Sequence, residues 1–170
     1  MGRPYGPAKW ADRTDRPDGT LGRLSYPPEI LFAMERPTGQ TKDVGWEIGV
    51  SRTIPHGSAE VWAFLTSPEG AALWVGPGVV LEPTKGAKYV AENGTSGEVR
   101  SFRPGDRVRL TWRPNTWSHD SIVQLVVRPA ATGTSVRFHQ EHLADADERE
   151  QQRNHWRDVL GTITAALAQH

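Results

Sequence analysis

The chain has 170 residues, with 20 basic and 20 acidic side chains and no cysteine. That length suits one domain with a tail, and the balanced charge offers no bulk field to attract nucleic acid or an anionic membrane. The missing thiols exclude disulfide and thiolate chemistry. No apolar run could span a bilayer and the N-terminus MGRPYGPAKW lacks a signal peptide's apolar core, so a cytoplasmic location is expected.

Residues 1–45 read as an irregular arm. They hold Pro4, Pro7, Pro17, Pro27, Pro28 and Pro37 among scattered charges and glycines. Within them Ile30, Leu31, Phe32 and Met34 form an apolar segment whose exposure would forgo favourable burial. This segment is expected to dock on its own domain or across a homodimer interface.

The regular domain covers residues 46–170. Trp46–Ile54 alternates Trp46, Ile48 and Val50 with polar positions and predicts a strand. Ser58 is placed as the N-cap of a short helix through Thr66, with Val61, Phe64 and Leu65 on one side. Ser67-Pro68-Glu69 opens a second short helix that runs to about Trp74. Short strands are then expected over Val79–Glu82, Lys88–Glu92 and Gly97–Arg103, with Asn93-Gly94 as a hairpin signal. Arg107–Arg113 places Val108, Leu110 and Trp112 on one face, and Asp120–Arg128 is a longer strand.

Thr134–His142 predicts the last strand and Ala146–Ala168 one long amphipathic helix. Trp156, Val159, Leu160, Ile163, Ala166 and Leu167 form its apolar stripe, and Asp145 with Glu148 fits a capping box at its start. The order is therefore a strand, two short helices, an antiparallel meander and a closing helix, an α+β architecture of six or seven strands.

Several phrases in that order resemble the SRPBCC or START-like superfamily, whose fold is called helix-grip. They are Pro55 followed by Val61-Trp62, Ser67-Pro68-Glu69 leading to Trp74, and Gly97-Glu98-Val99 followed by Pro104. Leu110-Thr111-Trp112, Gly133-Thr134, Phe138-His139 and Trp156 with Leu160 complete the set, which runs from about Trp46 to Leu167. The branch most similar to them is that of the homologues of the C-terminal domain of the heat-shock protein 90 ATPase activator. The resemblance implies a curved antiparallel sheet wrapped around the C-terminal helix with a cavity between them. Members of that superfamily bind lipids, hormones or polyketides, and a few are cyclases.

Seven tryptophans are many for a chain this short, and aromatic side chains either fill a core or wall an apolar site. The residues expected to face a small hydrophobic molecule are Trp74, Tyr89, Trp112, Trp117, Phe138, Gln140, Trp156 and Leu160. Trp112, Phe138 and Trp156 are expected to converge on one cavity. Gln140, inward beyond Phe138, would supply a polar handle. His139, Glu141 and His142 lack a metal-binding pattern, since strand geometry turns His142 away from the other two. His119-Asp120 reads as a turn. No cofactor motif occurs, and no serine sits in a GxSxG frame.

Binding of a small hydrophobic molecule without catalysis is thus the leading expectation. A cyclase or dehydratase would need an acid or base inside the cavity, with Glu92, Glu98, His119, Asp120 and Gln140 as the candidates. A chaperone-activator or regulatory interaction module would show an unusually large exposed apolar patch.

Overall fold

Alternating apolar and polar positions build the sheet in the computed structural model, which describes residues 38–41 and 45–170. The strands are β1 (Gln40–Thr41), β2 (Gly45–Ile54), β3 (Lys88–Val90), β4 (Ser96–Arg103), β5 (Arg107–Trp112), β6 (Ser121–Ala130) and β7 (Gly133–Leu143). They form one antiparallel sheet in the order β1-β2-β7-β6-β5-β4-β3. The helices are α1 (Ser58–Thr66) and α2 (Pro68–Trp74), between β2 and β3, and α3 (Ala146–Leu167), which closes the chain. This is the helix-grip arrangement: a curved sheet whose inner face is covered by the long last helix.

The inner face is the one the alternation marked. Val108, Leu110 and Trp112 on β5, Val123, Leu125 and Val127 on β6, and Val136 and Phe138 on β7 are all buried. They meet Trp156, Val159, Leu160, Ile163 and Leu167 of α3 in one core. Each large side chain so buried contributes about 1.5–3 kcal/mol relative to exposure. The opposite face carries polar contacts, among them the ion pair of Arg109 with Glu141 at 2.8 Å and the His139 ring at 3.4 and 3.5 Å from the carboxylates of Glu47 and Glu141.

Two bulges bend the sheet. Between Trp46 and Ile48 the register with β7 slips by one residue, and His142 takes a left-handed φ of 64° there. A second slip falls between Val99 and Ser101 on β4. Extra residues of this kind raise local twist, which lets the sheet curl around α3.

The helix ends follow local chemistry. Asp145 accepts from the Glu148 amide at 2.7 Å, while Glu148 reaches back to the Ala144 amide at 2.6 Å. Ser67 accepts from Gly70 N at 3.1 Å with Pro68 in the first position of α2.

Two local expectations fail. Ser58 is the first residue of α1, and the cap is Gly57, whose carbonyl accepts from Val61 N. Val79–Glu82 is not a strand: it follows Gly76 and Gly78, both at positive φ, and Val80 is exposed. Val79 is buried by packing, without a ladder partner. The sheet begins ahead of Trp46, because Gln40 pairs with Trp46 and Thr41 with Gly45. The arm segment Ile30–Met34 lies outside the described residues. Among those residues no helix is long and apolar enough to cross a membrane.

Candidate ligand site

Trp112 stands at the end of β5, where the sheet gives way to the loop holding Trp117. Its indole N–H donates to the Val75 carbonyl at 3.0 Å, tying the end of α2 to the sheet. Trp74 does the same one element earlier, donating to Leu65 O at 2.9 Å. Both indoles therefore have their polar atoms occupied by backbone, and both side chains are buried.

Between the end of α2, the turn from β3 to β4, Trp112 and α3 lies a cleft of about 100 Å³. Leu73, Trp74 and Trp112 wall it; Asn93 and Thr95 form a polar rim; His155 of α3 faces in. Gly76 allows the close approach that shapes the rim. Its φ is +154°, and a Cβ there would stand 2.5 Å from the Cβ of Ala91. Asn93 accepts from the Thr95 amide at 3.0 Å, which fixes the turn.

His155 is the titratable group of the cleft. Its ring centroid is 5.7 Å from that of Trp112 and 4.8 Å from that of Trp156. Burial holds its pKa below the ordinary histidine value, with Asp158 opposing weakly, so the ring is neutral near pH 7.

A second histidine lies on the outer side of Trp112. Trp117 packs edge-on to Trp112 at 5.8 Å and stacks on His119 at 4.8 Å. His119 does not engage the Asp120 carboxylate. Its Nε2 meets Glu148 Oε1 at 3.0 Å, and its Nδ1 lies 3.3 Å from the Asp120 carbonyl. Burial would lower its pKa, but the bond to Glu148 and the charges of Glu148 and Asp120 outweigh this and raise it. Glu148 thus caps α3 and fastens the Trp117 loop to it.

The remaining expected site residues fall elsewhere. Phe138 stacks on Trp156 at 4.6 Å, and Trp156 is 5.8 Å from Trp112, so the three rings pack as one cluster and do not open together on one cavity. Phe138, Trp156 and Leu160 pack in the core, and Trp112 is the one of the converging three that lines the cleft. Gln140 is fully buried, and its side chain is engaged at both ends. It donates to Ser121 Oγ at 2.9 Å and accepts from Trp156 Nε1 at 2.7 Å, while Ser121 donates to the Trp112 carbonyl at 2.6 Å. Tyr89 donates to Thr111 O at 2.6 Å, and burial raises its phenol pKa far above normal.

Two wider grooves lie on the surface. One, of about 340 Å³, runs beside Phe64, Leu167 and His170; the other, of about 380 Å³, lies beside Tyr89, Glu98 and Arg113. No residue of either groove carries an unpartnered buried polar atom, whereas His155, one of the residues lining the Trp112 cleft, does. Glu92, Glu98, His119 and Asp120 are not among the residues lining the cleft, and sequence reasoning passed over His155. Its signal was present: it stands beside Trp156 in the helix, on the shoulder of the apolar stripe.

A family model described as "Activator of Hsp90 ATPase homolog 1-like protein" matches residues 56–168. Solved structures share the fold. A protein from Mesorhizobium loti is 21% identical, with a TM-score of 0.63 over 72% of this chain and 97% of that one. An AHSA1 protein from Silicibacter pomeroyi is 19% identical, with a TM-score of 0.60 over 73% and 99%. The Aha1 dimer from Colwellia psychrerythraea is 16% identical, with a TM-score of 0.58 over 71% and 95%. No curated protein matches the sequence.

Proposed function

The chain belongs to the activator of Hsp90 ATPase homolog 1-like family, and on that premise we propose that it is a helix-grip binding protein for a small, largely apolar ligand. The ligand enters the cleft between α2, the β3–β4 turn and α3. The observation that carries this reading is the Trp74–Trp112 wall itself. Both indole N–H groups are held by backbone carbonyls, so both rings are fixed in place at the cleft, Trp74 almost fully buried and Trp112 slightly exposed. Small-molecule sites are commonly preformed, with apolar side chains and a few polar groups in the lining, and here apolar and polar groups share the lining about equally.

The volume sets the ligand's size. An apolar cavity of about 150 Å³ holds benzene. A cleft of about 100 Å³ is smaller than that and takes a short alkyl group, or the edge of a ring or longer molecule whose remainder projects outward. Trp112 and Trp74 make the contact, Trp117 backs Trp112, and Phe138, Trp156, Leu160 and Gln140 hold the floor rigid from behind.

Titration with an apolar fluorescent dye tests the reading. Trp112→Phe, which shortens the wall and removes the bond to Val75, weakens binding at least threefold. Arg109→Ala, on the opposite sheet face beside Glu141, leaves it unchanged. Equal effects from the two substitutions in folded protein contradict the proposal.

A further inference from the structure

The outer face of the sheet carries its positive charge unevenly. Arg103 of β4 is the register partner of Arg107 on β5, Arg107 that of Val126 on β6, and Val126 that of Arg137 on β7. Neighbouring strands lie about 4.8 Å apart, so these four residues form one row of roughly 15 Å across the sheet. The adjoining residues Val108, Val127 and Val136 are buried against the core, so the row points outward. Arg128, two residues past Val126, lies on the same face and is exposed.

Four guanidiniums here share one carboxylate. Asp106, in the turn between β4 and β5, meets Arg107 at 3.3 Å and also pairs with Arg128. Arg103 and Arg137 are exposed, and neither has an ion pair among the described residues. The Arg137 guanidinium lies over Gly49 of β2, where a Cβ would stand 2.8 Å from its Nη2. Three other arginines of the sheet each have a carboxylate of their own: Arg109 with Glu141 at 2.8 Å, Arg100 with Glu98 at 3.4 Å and Arg113 with Asp120 at 3.6 Å. Like charges set directly across two strands cost stability, so the pairing of Arg103 with Arg107 is not explained by the needs of the fold.

We propose that this row is a docking surface for an acidic polypeptide segment of a partner protein, whose carboxylates pair with Arg103 and Arg137 while half-buried Val126 gives an apolar contact between them. The surface is separate from the cleft and does not depend on it. Charge complementarity selects the partner. The planar guanidinium fork matches a carboxylate with two parallel hydrogen bonds, and arginine is among the residues enriched where proteins meet. A single-stranded nucleic acid is also anionic, but its bases stack on aromatic side chains, and the row holds none. The balanced charge of the whole chain supplies no long-range field for a duplex.

Fluorescence anisotropy of labelled polyglutamate, titrated with the full chain at low ionic strength beside a labelled DNA duplex and single strand, tests this. The expected result is that wild type binds polyglutamate and that the double variant Arg103→Ser, Arg137→Ser weakens it about tenfold. The double variant Arg100→Ser, Arg113→Ser removes the same charge from arginines already paired with Glu98 and Asp120, and it changes the affinity less than about twofold. Equal losses in the two double variants reduce the effect to bulk charge and overturn the surface. So does a wild type that fails to bind polyglutamate. DNA bound more tightly than polyglutamate, with the same dependence on Arg103 and Arg137, makes the occupant a nucleic acid and overturns the polypeptide assignment. Should a double variant not fold, the arginine Nε–H resonances of ¹⁵N-labelled wild type decide. Shifts with polyglutamate confined to Arg103, Arg107, Arg128 and Arg137 support the surface, and shifts spread evenly over all arginines, or absent from these four, overturn it.

Discussion

The Trp156 indole donates to Gln140 Oε1 at 2.7 Å, and the other end of the Gln140 amide donates to Ser121 Oγ at 2.9 Å. Ser121 passes the chain on to the Trp112 carbonyl. One buried polar thread therefore runs from α3 through β7 and β6 to the strand that carries the cleft's wall. In a low-dielectric core such a thread specifies one arrangement, because each broken link strands a polar group.

Gln140→Leu is therefore expected to destabilise the fold by about 1–3 kcal/mol, chiefly by orphaning the Trp156 N–H. Trp156→Phe in that background costs less than in wild type, by about 0.5–2 kcal/mol of coupling. Urea unfolding of the two single variants and the double variant measures this.

Gly76→Ala and Gly161→Ala should have opposite signs. At Gly76 the backbone is at φ +154° and a Cβ would meet Ala91 at 2.5 Å, so alanine costs about 1–3 kcal/mol. At Gly161, inside α3, the nearest atom to a new Cβ is 3.7 Å away on Arg52. Alanine there gains about 0.5–1 kcal/mol from helix propensity. Thermal denaturation reads both shifts.

The two histidines beside Trp112 give stability slopes of opposite sign. His155 has a folded pKa below its unfolded value of 6.5, through burial. The unfolded chain then binds the proton better, so this contribution is whole above pH 6.5 and is lost as pH falls toward the folded pKa. His119 has a folded pKa above 6.5: burial lowers it, but the bond to Glu148 and the charges of Glu148 and Asp120 outweigh that. Its contribution is whole below pH 6.5 and is lost as pH rises through the folded pKa. Unfolding free energy against pH should lose its acid-side slope in His155→Phe. It should lose a slope of the other sign, just above pH 6.5, in His119→Asn.

Much of this fold is legible in the sequence because its signals are local. The alternation of Val108, Leu110 and Trp112 marks the buried face of β5, and the spacing of Trp156, Val159, Leu160 and Ile163 marks the buried stripe of α3. The bond from Asp145 to the Glu148 amide sits where the capping box places it. The misread segment, Val79–Glu82, shows the limit: its apolar run has the composition of a strand, yet nothing local reports that no neighbour pairs with it. The site is less legible for the same reason. The bond between His119 and Glu148 joins residues 29 positions apart. The pairing of Trp156 with Gln140 also depends on how the helix lies across the sheet. Alternation places Gln140 inward, but it does not say whether the amide faces a ligand or a neighbouring indole.

The cleft as a ligand site is tested most directly by the indole N–H resonances of ¹⁵N-labelled protein titrated with toluene. Trp74 and Trp112 line the cleft, and Trp62 packs instead against Phe102 at 5.6 Å. With the ligand in the cleft, the Trp74 and Trp112 signals shift together and saturate at one affinity while that of Trp62 stays still. Shifts spread evenly over all three indoles, or none at Trp74 and Trp112, would contradict it.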